Sequence, residues 1–445
     1  MNKLKQLWID LRSSFWFVPS LIVSASIVLA VTLIEFDAIE GDRWLARWPR
    51  LFGAGAEGAR GILSTIAGSM MSVVGVTFSM TLVVLALASS QYTSRILRNF
   101  MKSRVTQSTI GIFAGIFTYC LIVLRTIRSG SDGSFVPNIA VFFSVVLAIC
   151  GIGVLIAFIH HMSSSIQASN IVASVAEETI QSIDECFPEQ LENEAEKDIQ
   201  EQTKIYNTER KWQVIPANKS GYIQSADRAV LLRLAREKKA VVRMERGVGE
   251  FVVQGTSLVS LSLEKSSDHE TITTLQKAFV ISRHRTIEQD MAFGIRQIVD
   301  VALKALSPGI NDVTTAVMCI DYLAAILTRL ATRKIPPFDF YEDQELRVIA
   351  KGPSYESLLD EAFDQIRNNS SGNVTIMVRM LGALQTCASK TVSPSRRQAL
   401  EQHVRRIAEL AEHSVTFAHD RARIDTQLTT IREALNATPF PHDTL

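Results

Sequence analysis

The side chains that could carry chemistry are few. Eight histidines are present (His160, His161, His269, His284, His403, His413, His419, His442), and none stands in an H-E-x-x-H zinc arrangement. The chain has no phosphate loop, nucleophile elbow or dinucleotide fingerprint. His160 and His161 follow an apolar run and read as interfacial. His284 lies between Arg283 and Arg285, two cations that disfavour a proton-accepting role unless a carboxylate offsets them. Asp290 can be that carboxylate, although a plain ion pair is the simpler reading. Five cysteines (Cys120, Cys150, Cys186, Cys319, Cys387) show no C-x-x-C spacing, so they read as free thiols rather than a disulfide framework or a zinc site. No enzymatic activity, metal or cofactor is expected from these residues.

The best-patterned polar groups are hydroxyls. Gly61, Thr65, Gly68, Ser72, Gly75 and Ser79 recur at spacings of 4, 3, 4, 3 and 4, which puts them on one face of a helix. Small residues let helices approach closely and hydroxyls can bond across them. The same face can equally line a water-filled path. Thr65, Gly68, Ser72, Gly75 and Ser79 are therefore candidates for pore lining or for helix packing. Arg95, Arg98, Lys102 and Arg104 follow and would ring the exit of such a path, biasing it towards anions. A third group comprises Arg283, Asp290 and Arg296 with the run Ser307, Pro308, Gly309, Asn311 and Asp312, a ligand site or a structural corner. Arg296 and Asp300 can pair at i,i+4. Pro308 cannot continue a helix, Gly309 accepts a left-handed conformation, and Asn311 or Asp312 can cap the next helix.

The elements that must position these groups divide the chain in two. Net charge is +1 over 445 residues. Residues 1–170 carry 13 basic and 7 acidic side chains, whereas residues 171–445 carry 33 and 38. A near-neutral chain offers no general attraction to nucleic acid. At 47% hydrophobic and 20% charged, it is neither disordered nor purely a membrane bundle. Four uncharged runs, Ser13–Ile34, Ile62–Ser94, Val105–Leu124 and Gly133–Ile159, are each long enough to cross a bilayer core of about 30 Å. The expected fold is an α-helical integral membrane domain of four transmembrane helices over residues 1–165, with spans near 14–34, 62–90, 106–126 and 137–159. No Asp, Glu or Lys is expected within a span, which argues against a proton-coupled carrier. Basic residues flanking the first two spans favour cytoplasmic termini.

The remainder is expected to be a cytoplasmic α+β region. Residues 166–210 form an acidic helical connector, with ten acids and one lysine in Glu177–Glu201. Residues 211–285 form a small β-rich half-barrel module, with short strands punctuated by Gly247, Gly249 and Gly255. It is like the half-barrels of biotinyl or lipoyl carriers, but lacks an exposed lysine in a hairpin turn. Residues 286–437 form a helical domain, including Ile287–Leu306 and Val313–Ala331.

The run Ala305 to Asp312, followed by Thr314-Thr315-Ala316, resembles the bacterial predicted membrane proteins grouped as domain of unknown function 2254. Phe15-Trp16 with Pro19, Phe78-Ser79, Ser89-Ser90-Gln91 with Arg95, and Asp290 with Phe293-Gly294-Ile295-Arg296 fit the same family. Val313 and Ser94 stand where that family tends to have proline, which relaxes two helix boundaries. The resemblance implies architecture and a multi-pass location in the bacterial inner membrane, and it implies no reaction. Two functions are then expected from the residues: a homo-oligomeric pore or passive transport protein, span two lining the conduit and the cytoplasmic part gating it, or a membrane-tethered sensor or scaffold that binds a ligand or protein. Partners are the lipid bilayer and a second copy of the chain.

Overall fold

The computed structural model describes residues 16–47, 55–91, 104–128, 135–165, 167–187, 211–262, 268–335, 339–342 and 345–436. The chain divides into two compact units, Met1–Asn170 and Ile171–Leu445.

The first unit contains four long helices: α1 (Phe17–Arg47), α2 (Ala56–Gln91), α3 (Arg104–Thr126) and α4 (Asn138–Ser165). At about 1.5 Å per residue, the 36 residues of α2 extend for roughly 54 Å, well beyond one straight bilayer crossing. Packing centres on α3, whose Phe113, Ile116, Tyr119, Cys120 and Val123 are buried. Two glycines of α3 set its approach to α1. A Cβ on Gly111 would lie 2.9 Å from the Pro19 Cα, and one on Gly115 would lie 2.5 Å from Ser26 Oγ. This is the close helix–helix packing that small residues permit in a bilayer.

Helix α1 continues past the uncharged run, so Glu35 and Asp37 fall within the apolar stretch Phe17–Ile39. The sequence puts the end of the first span at residue 34, before both acids, and the apolar stretch runs on past them. Asp37 is buried because it caps α4: its two carboxylate oxygens accept the Ile139 and Ala140 amides at 3.0 and 2.9 Å. A helix N-terminus has unpaired amides and a positive dipole end, and a carboxylate satisfies both. Tyr119 Oη donates to the Ala140 carbonyl at 2.8 Å, closing the same junction.

The second unit begins within α5 (Ala168–Cys186) and continues with a mixed α/β region. Strands β1 (Trp212–Pro216), β3 (Val241–Met244) and β5 (Ser257–Ser262) join β7 (Asp339–Glu342) and β8 (Glu345–Ile349) in a five-stranded sheet of order β1-β5-β3-β8-β7. Strands β2 (Gly221–Ala226), β4 (Phe251–Val252) and β6 (Phe279–Ser282) form a second sheet of order β4-β2-β6. The β-rich part is thus completed by strands from 339–349, which the sequence reading placed in the helical region. β3 and β8 pair in parallel, which requires a long crossover and hides the partnership from local pattern. Consecutive burial of Leu258, Val259, Ser260 and Leu261 shows that β5 is covered on both faces. Ser260 tolerates this by donating to Glu245 at 2.5 Å.

Helices α6 (Arg228–Glu237) and α7 (His269–Lys277) accompany the sheets, and α8 (Met291–Leu306), α9 (Val313–Ala331), α10 (Tyr355–Asn368), α11 (Val374–Lys390), α12 (Pro394–Ser414) and α13 (Ala418–Asn436) form the helical part. α5 packs on α8 through Gly294, where a Cβ would meet Thr179 Oγ1 at 1.9 Å. Ser182 Oγ donates to the Ile287 carbonyl at 2.9 Å, and Asp184 bridges Arg329 and Arg333 at 2.7 and 2.6 Å. Hydrogen bonding from Arg329, helped by Arg333, outweighs burial and holds the Asp184 carboxyl below its ordinary range. Among the described residues five helices, not four, are long and apolar enough to cross a membrane. The fifth is α9.

Candidate functional site

The hydroxyl stripe of α2 lies on the outer side of the first unit. Leu63, Ala67 and Met70 turn inward to the core, while Thr65, Gly68, Ser72, Gly75 and Ser79 are all exposed. A Cβ on Gly61, Gly68 or Gly75 would find nothing within 4 Å. Thr65 and Ser72 satisfy their hydroxyls on the Gly61 and Gly68 carbonyls of their own helix, at 2.8 and 3.0 Å. Among the described residues of the first unit, nothing packs against these glycines. The small-residue pair that does pack, Gly111 and Gly115, lies on α3, and its G-x-x-x-G spacing was the signal that could have found it. Arg104 begins α3 and is exposed. Arg95, Arg98 and Lys102 lie outside the described residues.

The third group does not converge as expected. Arg283 is exposed, and Asp290 pairs with Arg285, taking its Nε at 2.7 Å and its Nη2 at 2.9 Å. Arg296 pairs with Asp300 at 2.9 Å, as its spacing indicates, and with Glu361 at 3.3 Å. Ser307–Asp312 is an exposed turn in which Asp312 caps α9 by accepting the Thr315 amide at 3.0 Å and its hydroxyl at 2.5 Å. Those two bonds hold the Asp312 carboxyl below its ordinary value. The left-handed residue of the turn is Asn311 (φ 48°), not Gly309. Asparagine tolerates this conformation, and it lets the Asp312 amide return to the Ala305 carbonyl at 2.8 Å.

Asp290 instead belongs to a cavity of about 530 Å³ within the second unit. It is almost fully buried, caps α8 through the Phe293 amide at 3.1 Å, and fixes Arg285, whose guanidinium lies over the Phe293 ring at 5.1 Å. Gly249 crosses this pair. Its φ of 87° suits glycine, and a Cβ there would lie 2.5 Å from Asp290 Oδ2 and 3.0 Å from Arg285 Nη2. Next to it Glu250 pairs with Lys351 at 2.8 Å and Arg246 at 3.3 Å. Burial raises the Glu250 carboxyl, but the bond from Lys351, with the Gly247 backbone and Arg246, brings it below its ordinary value. The sequence alone does not single out Glu250 and Lys351; it marks Gly249 only as punctuation between short strands, and Arg285 as a cation beside His284. Asp360, Asp364 and His403 also cluster, yet Arg406 donates to both carboxylates at 2.8 and 3.2 Å, so their charge is already answered.

The chain is similar to two known proteins of mycobacteria. An uncharacterized protein of Mycobacterium bovis and one of Mycobacterium tuberculosis are each 29% identical over 434 residues, 95% of this chain and 81% of theirs. No solved structure matches the chain. Residues 12–386 match the family described as "Predicted membrane protein (DUF2254)", a span that includes the four long helices, the α2 stripe, the cavity residues and the Ser307–Asp312 turn, and the chain belongs to that family of membrane proteins.

Proposed function

We propose that this membrane protein is a homo-oligomeric passive conduit in which the stripe faces of α2 from several copies meet around an axis. The observation that carries this reading is the outward placement of Thr65, Gly68, Ser72, Gly75 and Ser79, with no described residue of the first unit against the glycines. Lipid tails gain little from glycine and serine, whereas a second copy of α2 gains close backbone approach and a polar lining. Helices α1 to α4 are the spans in this reading, in the bacterial inner membrane with both termini cytoplasmic. α9 stays in the second unit, because its Asp321 and Arg329 pair with Arg379 and Asp184 there. The second unit then acts as the gating part.

The test is conductance of the purified protein in planar bilayers. The wild type is expected to give discrete openings. Ser72→Leu and Ser79→Leu, which fill the stripe without touching the core face, are expected to reduce unitary conductance severalfold. A silent wild type, or variants that conduct as the wild type does, would refute the conduit.

A further inference from the structure

The cavity around Arg285 has an unequal balance of open and closed polar groups. Two of its three acids are paired with cations. Asp290 gives both oxygens to Arg285 and one of them also to the Phe293 amide. Glu250 is engaged by Lys351 and Arg246, and Glu185 accepts from Gln181 at 2.9 Å. Its donors are not all used. Arg285 spends Nε and Nη2 on Asp290, and its Nη1 makes no hydrogen bond among the described residues. Gln289 spends its oxygen on the Ala226 amide at 3.1 Å and keeps its amide nitrogen open.

The first residues of two helices, Arg228 of α6 and Met291 and Ala292 of α8, line the cavity, and both helix ends are capped by carboxylates, Asp227 on the Val230 amide and Asp290 on the Phe293 amide. Buried Leu231, Met244, Met291 and Val348 supply an apolar wall. The volume lies within the roughly 300–1,000 Å³ usual for small-molecule sites. Arg285 is moreover preorganised, held by a buried carboxylate on one edge and an aromatic ring on its face, so little ordering cost remains for a ligand.

We propose that this cavity binds a small organic anion with an apolar body, its anionic group on Arg285 Nη1 and Gln289 and its body against Leu231, Met244, Met291 and Val348. A cation is disfavoured because Asp290 and Glu250 are already paired with cations, Arg285 on one side and Lys351 and Arg246 on the other. Bare inorganic phosphate would leave the apolar wall unfilled. The site is independent of the conduit reading, since it lies wholly within the second unit.

The experiment is equilibrium dialysis of the full chain in lipid nanodiscs against 2-naphthoate, followed by its fluorescence, with protein-free nanodiscs giving the lipid background. Saturable binding of one 2-naphthoate per chain is expected, with 2-naphthamide at least tenfold weaker. Arg285→Lys keeps a charge beside Asp290 but removes the outward donor pair, and is expected to weaken 2-naphthoate by roughly tenfold or more. Ala292→Leu fills the cavity from its half-buried rim and is expected to abolish binding, with thermal unfolding verifying that both variants fold. Octanoate and benzoate as competitors separate a lipid-derived acid from a soluble aromatic one, and displacement by either supports the site. Absence of saturable binding, equal binding of the amide, or wild-type affinity in both folded variants would overturn it.

Discussion

Gly294→Ala is expected to destabilise the second unit, although alanine is the better helix former. In an open helix interior the change would favour the folded state by about 1 kcal/mol. Here the added methyl would lie 1.9 Å from Thr179 Oγ1 and 2.9 Å from both its Cβ and Cγ2. Turning Thr179 about χ1 exchanges one branch for another and leaves Cβ in place. Thr179 is fully buried, so relief requires α5 to move off α8. That movement stretches the Ser182 bond to Ile287 and disturbs Asp184 between Arg329 and Arg333. Overpacking of this kind costs about 1–3 kcal/mol, and the overlap here argues for the upper half after the propensity gain is offset. A net loss of about 2 kcal/mol lowers the unfolding midpoint by roughly 4–8 °C for a unit of this size. Circular dichroism of the protein in nanodiscs measures it. Thr179→Gly in the same chain removes every atom of the overlap, so the double variant is expected to be more stable than the sum of the two single changes. A midpoint raised by Gly294→Ala alone, or strict additivity of the pair, would refute the α5–α8 approach.

Two further outcomes follow from the same kind of geometry. Burial holds the His403 imidazole below its ordinary value of 6.5, against the pull of Asp360 and Asp364 and with the help of Arg406. Its folded form therefore binds fewer protons than the unfolded chain. This contribution is complete above about pH 6.5 and is lost as pH falls through the depressed folded value, so stability should fall on acidification over that window. His403→Gln should flatten that part of a pH series of unfolding midpoints, and an unchanged slope would contradict the assignment. Gly115→Val and Gly68→Val form a contrast. The first meets Ser26 Oγ at 2.5 Å and should lower thermal stability of the helical unit by several degrees, whereas the second meets no described residue and should leave that stability intact while reducing the oligomer seen by native mass spectrometry.

What could be read from the sequence was local. The four long apolar helices follow from uncharged runs, and the turn at Ser307–Asp312 follows from the conformational habits of proline, asparagine and aspartate over six positions. Even there the left-handed residue moved from glycine to Asn311, because the returning Asp312 amide, not backbone freedom, decides which residue turns. What escaped depends on partners distant in sequence. Asp37 lies beyond the expected end of the first span at residue 34, and only its amide partner 103 residues away explains why it is buried within a helix. The β3–β8 pairing and the passage of Gly249 over the Arg285–Asp290 pair are of the same kind. The small-residue stripes show the limit most sharply. A 3–4 spacing of glycine and serine states that something can come close, but not what. On α3 the something is α1. On α2 it is no described element of the first unit, and that difference, invisible in the spacing, turns one stripe into internal packing and leaves the other as the face on which the conduit reading depends.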